Sequence, residues 1–254
     1  MSDPLPTGPA MTDDSGEPPR RSLLELVFAW SGAAFGLAYG TGWVVLARMV
    51  PPPNPGWSAT ELADFVDQHR FGIRMGMVVG MFACGLLVPF FTYISAHMAR
   101  VEPGWPLLAV AQGLAGAVLT VFFLVPTMLW VTMTYRTDLG AASVRMLNDL
   151  AWLIFVMVVS TFLVQCVAFA AAGLRYAAAD DPVFPRWFCY FTLWMGVTAC
   201  AGSLAVFFKH GPFAWNGALA FYTPVPIFVV WIALFTLVLH RGTGLGLTRG
   251  SAAR

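Results

Sequence analysis

Charge is what this chain most lacks. Of its 254 residues 11% are charged against 58% hydrophobic, and the formal net charge is +1. A nucleic-acid partner would need a clustered basic face, so that class is set aside. Lysine is almost missing: Lys209 stands alone beside thirteen arginines. Cysteine is scarce and unpaired in sequence; Cys84, Cys166, Cys189 and Cys200 all lie in or beside apolar runs with no Cys-x-x-Cys spacing. That argues against a disulfide framework or thiolate metal site and for buried thiols acting as small hydrophobes. Catalytic signatures are absent too: there is no Gly-rich phosphate loop, nucleophile elbow or HExxH. The four histidines, His69, His97, His210 and His240, fall at the ends of apolar runs and share no metal-ligand spacing. Paired axial ligation of a haem is therefore poorly supported, and no cofactor or metal is expected.

What the chain does have is long apolar runs. A helix crosses the bilayer core in roughly 20 residues. Six runs meet that length, at about 24–47, 75–97, 107–130, 150–173, 187–208 and 217–240. The expected fold class is all-α: a polytopic membrane helix bundle of six transmembrane helices. Short linkers make neighbouring spans antiparallel. Residues 1–21, rich in Pro, Asp, Ser and Gly, cannot bury enough surface to offset their ordering entropy and read as a disordered tail. Residues 242–254 read as a flexible C-terminal tail. The Arg20-Arg21 pair invites a signal-peptide reading, but the run behind it is too long and further spans follow.

Counting Arg and Lys by side gives eight with the termini and six opposite. The positive-inside rule then puts both termini in the cytoplasm and the protein in the inner membrane. The compositional preference for Arg, Ala and Gly suggests a GC-rich bacterial genome.

Between the first two spans, Pro51-Pro52-Pro53-Asn54-Pro55 forms a stiff tether. Ser58-Ala59-Thr60-Glu61 then has the form of a capping box, and Leu62, Phe65, Val66 and His69 share one helical face. These features predict a short interfacial helix over 58–70, its apolar stripe against lipid or the top of the bundle.

Glycine is placed in rows. Span one carries Gly32, Gly36 and Gly40; span two carries Gly72, Gly76 and Gly80, with Cys84 continuing. Lipid supplies no hydrophobic drive between helices, so such small-xxx-small rows predict direct backbone packing of the two spans. A stripe on span three (Gly113, Ala117, Thr120, Thr127, Thr134) and one on span five (Thr192, Gly196, Ala199, Ser203) read first as packing faces and second as a cavity lining. Gln112 and Gln165, the amides deepest in the apolar core, each call for a partner. Prolines interrupt the spans at Pro89, Pro126 and the pair Pro224 and Pro226. These are kinks for packing or, as in several transporters, the breaks that build a binding site.

The segment 207–217 gathers the groups a bilayer resists. Gly211-Pro212 forces a turn. Trp215 has the ring of an interfacial anchor, and Asn216 is placed to cap the next helix. Arg74, Asp149, Lys209, His210 and Asn216 all belong to the same membrane level, with Tyr222 beside the prolines of span six. They read either as snorkelling and paired structural groups or as a shallow site for a polar or anionic headgroup with an apolar tail.

Phe184-Pro185-Arg186-Trp187 opens span five after an acidic loop. This organisation, continuing through 207–217, resembles uncharacterised families of small bacterial polytopic membrane proteins in which Pro-Arg-Trp opens the penultimate helices. The resemblance implies membrane embedding and supplies no activity. The expected partners are the lipid bilayer and a small lipophilic or amphiphilic ligand, which the protein binds or moves. An accessory subunit docking a membrane protein partner and a lipid-directed membrane enzyme are the rival readings.

Overall fold

A computed structural model describes residues 22–243, and the expected disordered segment 1–21 and the tail beyond Thr243 lie outside them. The described residues form an all-α bundle without strands, with six helices long and apolar enough to cross a membrane. Span one is α1 (Leu23–Gly40) continued by a π-helical segment, Thr41–Leu46. Span two is α2 (Ala59–Cys84) followed by α3 (Leu87–Val101). Span three is α4 (Leu107–Tyr135). Span four is α5 (Ala141–Val156) with α6 (Val159–Tyr176). Span five is α7 (Arg186–Ala199) running into a 3-10 segment, Cys200–Phe207. Span six is a π-helical segment, Ala218–Tyr222, ahead of α8 (Pro224–Gly242).

The capping box forms as the residues dictate. Ser58 Oγ accepts from the Glu61 N–H at 3.2 Å, and Glu61 Oε2 accepts from the Ser58 N–H at 2.7 Å. The helix it starts is not a separate interfacial element, however. It runs unbroken through residue 70 into span two, because no proline or turn glycine intervenes before Cys84. Its Leu62 and Val66 are buried, so the apolar stripe faces the bundle.

Breaks divide every span except the third. In span two, Pro89 has no N–H to offer the Gly85 carbonyl and its ring crowds that turn, so α2 and α3 part at Gly85-Leu86. In span four, three β-branched valines within four residues (Val156, Val158, Val159) weaken the helix where α5 gives way to α6. There Gly202 of span five approaches so closely that a Cβ on it would strike the Val156 carbonyl oxygen. Pro224 and Pro226 likewise withhold two donors from the start of α8. Pro126 behaves differently from expectation: it is buried inside a continuous α4.

That unbroken helix is the pillar of the bundle, packing against α2, α3, α5 and α6. Charged side chains satisfy the backbone groups left free at both its ends. The Glu102 carboxylate accepts from Leu108 N at 2.9 Å and from Ala109 N at 3.1 Å. At the other end Arg70 and Arg74 both donate to the Thr134 carbonyl, and Arg74 reaches the Tyr135 carbonyl at 3.2 Å.

Spans one and two pair as their glycines predict, in a different register. A Cβ on Gly42 would strike the Gly76 carbonyl oxygen, the reverse contact is equally close, and Gly72 abuts the Leu46 carbonyl. Gly32 faces the Phe90 ring, whereas Gly36 and Gly40 have nothing within 4 Å of an added Cβ. The contact glycine of span one thus lies in its π-helical stretch, off the expected row.

Candidate functional site

The segment 207–217 forms a capped turn over one end of the bundle. Gly211 has φ +84, open to glycine at no steric cost. The Pro212 carbonyl then accepts from Leu219 N at 2.8 Å and Ala220 N at 3.3 Å, satisfying the start of span six. That carbonyl, and not the Asn216 side chain, caps the segment. Trp215 is buried, and its Nε1–H donates to the Pro53 carbonyl at 2.9 Å. The turn is thereby fastened to the proline tether between spans one and two, with His210 over Gly56.

The candidate residues divide. Arg74 commits its guanidinium to the C-terminus of α4. Asp149 is half-buried on α5. Lys209 and His210 are exposed, and Asn216 is partly buried. Tyr222 goes elsewhere, to the wall of a cavity that the other five do not line.

That cavity holds about 580 Å³, within the ~300–1,000 Å³ of small-molecule sites. It sits where the helix breaks meet. Gly40, Trp43 and Val44 come from the π-helical end of span one, Val156 and Val158 from the break in span four, and Ala199 from the end of α7. Phe221, Tyr222, Pro224 and Pro226 come from the break in span six. Each break turns a side-chain row aside, and together they open a volume that six continuous helices would close. Gly36 and Gly40, with open space where a Cβ would be, widen it further.

Aromatic rings make most of the wall. Phe123 stacks on Phe228 at 5.4 Å, and Phe35 meets Phe123 edge-on at 5.3 Å. Trp43 joins Phe155 at 4.9 Å and Phe221 at 5.6 Å. Behind Trp43 the indoles of Trp130 and Trp152 complete a cluster with centroids 5.1–6.2 Å apart. Pairs of this kind contribute about 0.5–1.5 kcal/mol each beyond simple burial. Among the described residues no acid, lysine or arginine lines the cavity. Among the described residues no group of three or more His, Cys, Asp or Glu is placed to hold a metal ion.

Sequence reasoning named Pro224, Pro226, Tyr222, Gly36 and Gly40 but not the aromatic wall. Gln112 Oε1 accepts from the Ser95 hydroxyl of α3, while its Nε2 has no hydrogen bond among the described residues. Gln165 has neither amide atom hydrogen-bonded among the described residues. Comparison with protein-family models, curated proteins and solved structures finds no match.

Proposed function

We infer that this integral membrane protein binds or moves a small lipophilic or amphiphilic molecule, held in the cavity between the broken helices. The observation that carries the reading is the coincidence of four helix breaks at one aromatic-lined volume. Kinks made for packing alone would close onto side chains; these surround open space. Of the glycines that motivated a subunit role, Gly32, Gly72 and Gly76 pack within the chain, against Phe90, Leu46 and Gly42, which weakens that rival. The reading includes a bacterial inner-membrane setting with both termini cytoplasmic, on the arginine and lysine distribution.

Ligand-dependent stability tests it. Anything that binds the folded state raises the melting temperature by mass action. Lipid extracted from the source membrane should stabilise the purified wild-type protein and leave Gly36→Leu, whose new side chain enters the cavity, unmoved. Equal stabilisation of both would remove the cavity from the account.

A further inference from the structure

Resting on that reading, we propose that the ligand is an uncharged, ring-bearing lipophile already dissolved in the bilayer, and that it reaches the cavity sideways, between spans one and six. Three observations combine. The first is the chemistry of the wall: aromatic and aliphatic, without an acid, lysine or arginine among the described residues to meet a formal charge. A charge carried into such a site loses its hydration and finds no partner. Flat rings, by contrast, find faces and edges at Phe35, Trp43, Phe123, Phe155 and Phe228.

The second observation is where the cavity opens. Val44, Tyr222, Val229 and Val230 line it and are 46%, 47%, 55% and 50% exposed. These residues lie on spans one and six, in span six from Tyr222 into α8 and at the turn-side end of span one, within helices long and apolar enough to cross a membrane. Where the same two spans meet at their other ends they are closed, Trp30 Nε1 lying 3.3 Å from His240 Nδ1. The rim is therefore an apolar slot in the side of the bundle.

The third is the state of the polar end. The turn 207–217 is fastened by Trp215 to Pro53, and its own Ala214 and Gly217 are buried. A molecule coming from water would have to lift that cap, whereas one already in the bilayer meets the open slot.

Photolabelling of the full chain in phosphatidylcholine vesicles tests class and route together. The probes are benzophenone, neutral and two-ringed, and 4-benzoylbenzoate, the same rings bearing a carboxylate. Adducts are mapped by mass spectrometry and scaled to those on the lipid-facing residues Leu37 and Val45. Benzophenone should label the cavity wall at least about tenfold more than the carboxylate, as expected for a charge with no partner in an apolar site. Gly36→Leu, or Gly40→Leu as the second variant, should remove those adducts while melting like wild type. Val229→Trp, which narrows the slot, should slow their appearance severalfold, and Trp215→Ala, which loosens the cap, should not hasten it. Equal labelling by both probes would overturn the ligand class and leave the cavity reading standing. Labelling hastened by Trp215→Ala and indifferent to Val229→Trp would overturn the lateral route. Cavity labelling no stronger than that of Leu37, and unaffected by Gly36→Leu, would bring down the cavity reading itself.

Discussion

Gly42 and Gly76 meet backbone to backbone, each leaving no room for a Cβ beside the other's carbonyl oxygen. Gly36, a turn and a half earlier in span one, faces open space instead. Leucine at the two kinds of site should therefore act oppositely. Gly42→Leu and Gly76→Leu should each cost more than about 3 kcal/mol, beyond ordinary overpacking because rigid backbone would have to move. Gly36→Leu should melt within a degree or two of wild type. Thermal unfolding in detergent reads all three, and a large loss in Gly36→Leu would contradict the assigned register.

Arg74 and Lys209 differ in the same way. Arg74 hydrogen-bonds the last carbonyls of α4, so Arg74→Ala should destabilise by about 1–2 kcal/mol, the range for charge-assisted bonds discounted for partial exposure. Lys209→Ala should stay within about 0.5 kcal/mol. If Asp149→Arg destabilises, Arg74→Asp should not rescue it, because the guanidinium is engaged on α4. Rescue in the double variant would return Arg74 to the Asp149 cluster.

The two buried amides should also separate. Gln112→Met removes one of two acceptors of the Ser95 hydroxyl, which keeps the Ala109 carbonyl, and should destabilise by about 0.5 kcal/mol. Gln165→Met removes a buried amide that has no hydrogen bond among the described residues, and should be neutral or stabilising. Calorimetric melting of the pair decides it. A loss in Gln165→Met equal to that in Gln112→Met would mean that Gln165 has a partner.

Trp215→Phe keeps the ring and deletes the bond to Pro53. It should leave global melting nearly unchanged and raise protease cleavage within residues 51–57 severalfold, since the tether is then held at fewer points. Unaltered cleavage would show that the turn and tether are fastened by packing alone.

The spans were legible because the bilayer sets a length that any apolar run must meet, and Leu107 to Trp130 meets it without ambiguity. The Ser58–Glu61 capping box was legible because both partners lie within one turn. The pairing of spans one and two was visible in their glycines, but its register was not. The π-helical stretch 41–46 rotates Gly42 toward Gly76, and a row counted at regular helical spacing cannot foresee that. The polar cluster was grouped by membrane level, which fixes height and not azimuth; Arg74 therefore turned out to serve α4. The cavity depended on breaks with different causes in different spans. Proline announced the one at Pro224 and Pro226. The valine run at 156–159 and the close approach of Gly202 did not stand out, and no local pattern brings Trp43, Phe123 and Phe221 together.

The central claim is that the cavity holds a small molecule in the membrane. Native mass spectrometry of wild type and of Gly40→Leu, each extracted from the source membrane under the same mild conditions, tests it most directly. Wild type should carry a stoichiometric small-molecule adduct that is lost from a Gly40→Leu protein of unchanged melting temperature. The same adduct on both proteins, or none on either, would contradict it.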